Sequence, residues 1–330
     1  MEIINKKTIK TISKIFASVN LGEVEYVAEC DSSQNIVYEV HVPNKVYILK
    51  EYSKDAIKDE EDLIDRKRQI TVCEKMSKNG VPTILPLSFN GKYFIHYKNT
   101  YYLIYDFVDY ESVSEKDLTL KKIKKLSNTL AIIHKLNIKC NLPCHYEIIN
   151  INFQKYLKKF KGKTYAMGLY DVLSKNIKEL ENLVAEVNEN LKAAQKNLCI
   201  SHNDYKLKNI LWKKDFMYLL DFDACGQINP SASLAESAFA LSKQGTKINF
   251  DFYKEFLKTY IKKYGKLETD YKIALSVCMN GKLQWLNYLL SKCTKSDIKT
   301  VEGATSMIKE LVLFINNKEE FYKIYLDIVK

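Results

Sequence analysis

The chain has 330 residues, of which 46% are hydrophobic and 28% charged, which excludes a disordered or fibrous protein. No apolar run approaches the roughly 18 residues of a membrane span, and the N-terminal residues do not resemble a secretory signal. The formal net charge is +11, yet only Arg66 and Arg68 are arginines, the side chain that a nucleic-acid reader is expected to use. We therefore expect a cytoplasmic protein that binds neither membrane nor nucleic acid.

Residues 1–108 are predicted to form a small antiparallel sheet around one helix. Runs rich in β-branched and aromatic residues predict strands at 25–30, 36–41 and 46–52. A charged helix is predicted over 55–78, and two more strands follow at 93–97 and 101–108. This arrangement indicates an N-terminal domain that ends near residue 108.

Residues 109–330 are predicted to be mostly helical. Asp117 is expected to cap a helix with an apolar stripe from Ile123 to Ile133, and a longer stripe spans 173–191. After a compact strand-and-loop region at 198–230, about four helices are predicted, with breaks near Gly245, Gly265, Gly281 and residues 294–299. The predicted fold is α+β with two lobes, and we expect the lobes to share a ligand-binding cleft.

The most informative segment is residues 198–223. Asp204 and Asn209 lie on a loop that enters a predicted hairpin, and Asp221 follows the hairpin directly. Because a hairpin brings its two ends together, these three side chains are expected to converge. Phosphoryl transfer needs a carboxylate to accept the proton of the attacking hydroxyl and oxygen ligands for Mg²⁺. The alternative is a turn in which Asp204 and Asn209 act only as capping residues.

The same segment resembles a known family. His202-Asn-Asp204 with Asn209-Ile-Leu resembles the H-G-D-x4-N loop of the aminoglycoside phosphotransferase and choline kinase family, which has a protein-kinase-like two-lobed fold. Residues 219–223 (Leu-Leu-Asp-Phe-Asp) resemble its I-D-[FW]-[DE] motif. Upstream, residues 46–50 resemble its lysine strand, and residues 130–134 resemble its L-A-x-L-H helix.

The resemblance implies a role for each matching residue. Asp204 would be the catalytic base, and Lys50 would contact the phosphates of ATP or GTP. Asn209 and Asp221 would bind Mg²⁺ and with it the nucleotide, with Asp223 as a further metal ligand.

Four further assignments and one candidate substrate contact complete the predicted site. Ser33 and Asn35 lie in the segment that would form the nucleotide loop. His202 is expected to brace the catalytic loop, and Lys206 either touches the γ-phosphate or is a solvated lysine. Glu236 is a candidate for contact with the substrate.

Three departures from the family pattern stand out. The nucleotide loop at 31–35 has no glycine, and Ser233 replaces the aspartate of the family's D-L-A segment. The helix glutamate that normally pairs with the lysine aligns with Gln69, for which Asp65 or Glu74 is expected to substitute.

The sequence thus predicts a kinase that phosphorylates a hydroxyl of a small molecule, first of all an aminoglycoside. The helical region contains carboxylates suited to a polycation, namely Glu236, Asp270, Glu302 and Glu310. Choline, recognised by an aromatic cage, or another metabolite is an alternative acceptor. A protein kinase is disfavoured because the chain has neither a G-x-G-x-x-G loop nor an A-P-E segment. A catalytically inert, kinase-like binding module of the spore-coat type is the remaining alternative.

Overall fold

The computed structural model describes residues 4–30, 35–144 and 146–330. Ser33 and most of the predicted nucleotide loop lie outside these residues. The chain divides into two compact units, the first formed by Met1–Ser112 with Ile210–Asp223 and the second by Val113–Asn209 with Ala224–Lys330. Within the described part of the chain, no helix has both the length and the apolar character needed to cross a membrane.

The described residues form strands and helices in the following order. The strands are β1 Tyr26–Cys30, β2 Ile36–Val42, β3 Lys45–Glu51, β4 Ile95–Tyr97, β5 Thr100–Asp106, β6 Glu111–Ser112, β7 Cys199–Ser201, β8 Ile210–Lys213, β9 Phe216–Leu219, β10 Gly226–Ile228, β11 Lys243–Gln244 and β12 Lys247–Ile248. The helices are α1 Lys6–Ser18, α2 Glu60–Lys78, α3 Leu120–Lys135, α4 Phe153–Phe160, α5 Met167–Ala194, α6 Pro230–Ser242, α7 Phe250–Tyr264, α8 Tyr271–Val277, α9 Asn280–Lys292 and α10 Ile298–Val329.

The first unit contains an antiparallel sheet with the strand order β1-β2-β3-β5-β4. Alternate residues of β2 are buried, as expected for a strand with one face against a core. That core includes Val40 and Leu49 of the sheet together with Ile12 and Phe16 of α1. The expectation of a single helix before residue 100 is therefore wrong. The spacing of Ile12, Ile15 and Phe16 and the Asn5 cap were the available signals for α1.

The predicted hairpin at 210–220 is present and completes the first unit. β8 pairs with β9 and, on its other side, with β6. A bridge between Thr83 and Leu219 links the hairpin to the segment that follows α2. Asp221 and Asp223, which follow β9, therefore lie in the same unit as the sheet that carries Lys50.

The second unit is a helical assembly around α6. Nearly every residue of α6 is buried, and Asn229 caps its first turn next to Pro230. One sequence expectation is corrected here. Thr119, rather than Asp117, caps α3, because Asp117 closes a preceding 3₁₀ turn with Ser114. The predicted break near Gly281 is present, since α8 ends at Val277 and α9 begins at Asn280.

Candidate active site

In the first unit, the side chain of Lys50 lies between two aspartates. Its Nζ is 2.8 Å from Asp221 Oδ1 and 2.6 Å from Asp223 Oδ2, and the residue is only 8% exposed. Burial alone would lower the pKa of the Lys50 ammonium. The negative charge of Asp223, followed by the Coulomb effects of Tyr52 and Asp221, instead raises this pKa well above its usual value. Lys50 is therefore a buried cation held in its charged form.

Asp223 is held by several donors besides Lys50. One carboxylate oxygen accepts a hydrogen bond from the Tyr52 hydroxyl (2.9 Å), and the other accepts one from the Asn35 amide (2.9 Å). Its backbone carbonyl accepts bonds from the Gln69 amide (2.8 Å) and from Arg66. These bonds connect the residue to α2, to the residue before β2 and to the residue after β3, and leave its carboxylate with little freedom to move.

Neither expected substitute for the helix glutamate contacts Lys50. Asp65 pairs with Arg68 on its own helix at 2.8 Å, and Glu74 accepts a hydrogen bond from Tyr93. The expectation that Asp65 or Glu74 replaces the missing glutamate is therefore wrong. Because Asp223 supplies the second negative charge, Lys50 keeps an anionic partner although Gln69 is neutral.

In the second unit, Asp204 and Asn209 contact each other. The Asn209 amide nitrogen donates to Asp204 Oδ2 (2.7 Å) and to the Asp204 carbonyl (2.9 Å). His202 is fully buried, and its Nδ1 accepts a bond from the backbone N–H of Asp204 (3.3 Å). The Nζ of Lys206 lies 2.5 Å from Asp204 Oδ1. Residues of the loop thus hold Asp204 through bonds to its backbone N–H and carbonyl and through bonds to both of its carboxylate oxygens.

The backbone is unusual at two positions of these motifs. Asn203 and Asp221 both have a φ of 58°, in the left-handed region. Such a conformation costs a non-glycine residue about 1 kcal/mol, and Asn and Asp tolerate it best. Asn203 stands where the family motif has glycine, so the structure explains why this asparagine is an acceptable replacement.

A small depression adjoins Asp204 in the second unit. Its lining comes from the loop at 203–206, from Ser233, Glu236 and Ser237 of α6, and from Lys282 of α9. Residues 233, 236, 237 and 240 share one face of α6 because they are three or four positions apart. Glu236, a predicted substrate contact, therefore lines the same depression as the predicted base.

Glu236 belongs to a row of alternating charges. Lys282 Nζ is 3.8 Å from Glu236 and 2.9 Å from Glu310, and Lys243 lies on the other side of Glu310 at 3.0 Å. Although burial opposes it, Lys282 and Lys243 lower the pKa of Glu310 to about 2. Burial raises the pKa of Glu236, and Lys282 only partly offsets this effect.

The other predicted carboxylates have different positions. Asp270 caps the N-terminus of α8, and Glu302 is exposed on α10. Lys282 was not singled out from the sequence, because one lysine among 49 with no flanking motif gives no signal. Tyr52, one of 23 tyrosines, was missed for the same reason, and Arg66 was missed because no motif surrounds it.

The donor atoms suit a hard cation. Asp221 offers a carboxylate, and Asn209 directs both of its donor bonds to Asp204, so its oxygen is the atom suited to a metal. Both oxygens of Asp223 already accept bonds, which favours a role beside Lys50. Among the described residues, no three His, Cys, Asp or Glu side chains form a metal-binding cluster.

Solved structures share this architecture. A spectinomycin phosphotransferase bound to ADP and spectinomycin aligns with a TM-score of 0.69 at 13% identity, covering 94% of this chain and 98% of its own. An amicoumacin kinase bound to AMP-PNP and Ca²⁺ gives 0.60 at 14% identity, with 93% and 96% covered. The choline kinase LicA from Streptococcus pneumoniae gives 0.58 at 15% identity, with 93% and 99% covered. The chain therefore has the protein-kinase-like fold, as predicted.

The sequence itself shows the family. Residues 31–272 match the model of the phosphotransferase enzyme family, and the chain belongs to this family. No curated protein matches it significantly. The predicted resemblance and the α+β fold class are both confirmed.

Proposed function

We propose that this protein transfers the γ-phosphoryl group of ATP or GTP to a hydroxyl group of a small molecule. The observation that carries the proposal is the contact between Asp204 and Asn209 at 2.7 Å, on a loop braced by buried His202. A carboxylate fixed in this way is suited to accept a proton from an alcohol. Family membership supports the same reaction class.

The second unit would supply the base and the acceptor site. The Asp204 carboxylate accepts the proton as the acceptor oxygen attacks the γ-phosphorus. The bond from this phosphorus to the bridging oxygen breaks, and the nucleoside diphosphate leaves with the electron pair. Lys206, which is paired with Asp204, is long enough to exchange this contact for a phosphate oxygen.

The first unit would hold the nucleotide. Lys50 is fixed in its charged form, which suits contact with the α- and β-phosphates. Asp221 would be the ligand that this unit offers to Mg²⁺, which when bound would neutralise phosphate charge during transfer. Asn35 is placed beside this cluster through its bond to Asp223.

The glycine-free nucleotide loop and the neutral Gln69 are the two features that favour an inert kinase-like module. The second is weakened because Asp223 provides Lys50 with a close carboxylate at 2.6 Å. All four side chains expected to act in transfer, Lys50, Asp204, Asn209 and Asp221, are present. Aminoglycosides are the acceptors that the family resemblance puts first, followed by choline and other metabolites.

The test is acceptor-dependent consumption of ATP and GTP with Mg²⁺, comparing the wild type with Asp204→Asn. Loss of the base is expected to lower kcat by about 10³-fold while nucleotide affinity is unchanged, because the substitution keeps the shape of the loop. Asp251→Asn, an exposed position at the start of α7, is the matched control. Full activity in Asp204→Asn, or the absence of both nucleotide binding and turnover in the wild type, would refute the proposal.

A further inference from the structure

The depression beside Asp204 has no net charge on its lining. Asp204 is paired with Lys206 at 2.5 Å, and Glu236 lies 3.8 Å from Lys282. A site for a polycation is expected to present carboxylates that are not already neutralised by neighbouring cations. Here each carboxylate has an ammonium group beside it, so a positively charged acceptor would meet repulsion as well as attraction.

Lys282 is not free to leave the depression. Its side chain is 13% exposed, and its ammonium is anchored by Glu310 at 2.9 Å. Glu310 is held in turn by Lys243 at 3.0 Å, and Lys243 also lies 3.8 Å from Glu115. Because several neighbours hold this row of charges, the positive charge of Lys282 is a fixed part of the site.

The hydrogen-bonding groups of the lining suit hydroxyl groups. A hydroxyl both donates and accepts, so it can donate to the Glu236 carboxylate and accept from the Lys282 ammonium at once. Ser233 and Ser237 add hydroxyls on the same face of α6. Asn203, a further residue of the lining, has a buried side-chain oxygen without a hydrogen-bond partner.

We infer that the acceptor is an uncharged polyhydroxylated molecule, such as a sugar or cyclitol, that places one hydroxyl at Asp204 and another between Glu236 and Lys282. This inference rests on the proposed phosphotransferase function. It differs from the aminoglycoside expectation because a sugar hydroxyl, unlike an ammonium, uses both members of the Glu236–Lys282 pair.

The test uses acceptors that differ in one group. Glucose is compared with glucosamine, and myo-inositol with its monoamine, as substrates in the nucleotide-consumption assay. The neutral member of a pair is expected to have a kcat/KM at least about tenfold higher, because the amine meets Lys282. A higher kcat/KM for the amine, or for choline or spectinomycin over every polyol, would overturn the inference.

Two variants separate the charge of Lys282 from its size. Lys282→Met leaves Glu236 unpaired and is expected to shift the preference about tenfold toward the amine. Lys282→Met combined with Glu236→Gln keeps the lining neutral and is expected to weaken acceptor use without that shift. The same preference in both variants would contradict the assigned role of Lys282. If Lys282→Met fails to fold, the acceptor preference of the double variant is compared with that of Glu236→Gln. The latter variant leaves an excess of positive charge on the lining.

Binding of the same compounds without nucleotide, measured by saturation-transfer NMR, separates this inference from the proposed function. Polyol binding without turnover would leave the acceptor class standing while refuting phosphoryl transfer. Turnover of cationic acceptors without turnover of any polyol would support phosphoryl transfer and refute the acceptor class. If none of the polyols binds, the inference is overturned whether or not Mg–ATP binds.

Discussion

Two buried clusters of this protein keep their ionisable groups in opposite states. In the first unit, Lys50 is a buried cation whose pKa is raised well above its usual value, chiefly by Asp223. In the second unit, burial lowers the pKa of His134 to about 3, so its imidazole is neutral. The difference lies in their partners. Lys50 contacts two carboxylates, whereas the His134 nitrogens contact the hydroxyls of Tyr260 (2.6 Å) and Ser201 (2.8 Å).

The contrast shows that burial alone does not decide the charge of a group. Carboxylate neighbours compensate Lys50 for the lost hydration, whereas hydroxyl neighbours cannot do this for an imidazolium. The charged cluster is suited to phosphate binding. The neutral cluster consists of His134, Tyr260 and Ser201. It is suited to support the start of α6, because Ser201 also lies 3.3 Å from Ser233.

The largest expected effect comes from removing the cation. Lys50→Met is expected to lower kcat/KM for the nucleotide by about a hundredfold, since a charge fixed for the phosphates is lost. Steady-state kinetics at saturating Mg²⁺ would measure this change. Lys45→Met is the matched control, because Lys45 lies on the same strand in an exposed pair with Asp106. Equal losses in the two variants would contradict the assignment of Lys50 to the nucleotide.

A smaller effect is expected when Lys50 loses Asp223 but keeps Asp221 as its carboxylate partner. Asp223→Asn is expected to raise the KM for ATP about tenfold, because Asp221 alone then positions Lys50. Tyr52→Phe removes only a hydrogen bond to Asp223 and is expected to have a weaker effect. The Mg²⁺ concentration for half-maximal rate distinguishes the two possible roles of Asp223. An unchanged value in Asp223→Asn supports positioning of Lys50, whereas a large increase would make Asp223 a metal ligand.

The smallest expected effect concerns the neutral cluster and the stability of the fold. The folded-state pKa of His134 is about 3, below its usual value of 6.5, so the unfolded chain binds the proton first as the pH falls. The contribution of His134 is therefore complete above pH 6.5 and decreases below it, by about 1 kcal/mol between pH 6 and pH 5. Urea denaturation over this range would measure the slope.

His134→Gln is expected to destabilise the protein but to flatten that pH dependence. His96→Gln, at an exposed position, should leave it unchanged. An unaltered slope in His134→Gln would show that His134 does not titrate in this way.

The motifs around Asp204 and Asp221 were predictable because their residues are close in sequence. Asp204 and Asn209 are five residues apart, and the apolar runs that flank 213–215 predicted the hairpin that ends before Asp221. The partner of Lys50 was not predictable, because Asp223 reaches it from 173 positions away and was assigned to metal binding. Lys282, Glu310 and Lys243 carry no motif, and only the packing of separate helices makes them neighbours.

The placement of the hairpin has a consequence for how the chain can be divided. Residues 210–223 belong to the first unit, although the chain on both sides of them belongs to the second. A fragment that ends at residue 112 would lack Asp221 and Asp223, and with them both carboxylate partners of Lys50. A single cut or crossover therefore cannot exchange one unit for that of a relative, because the first unit takes residues from both sides of the segment 113–209.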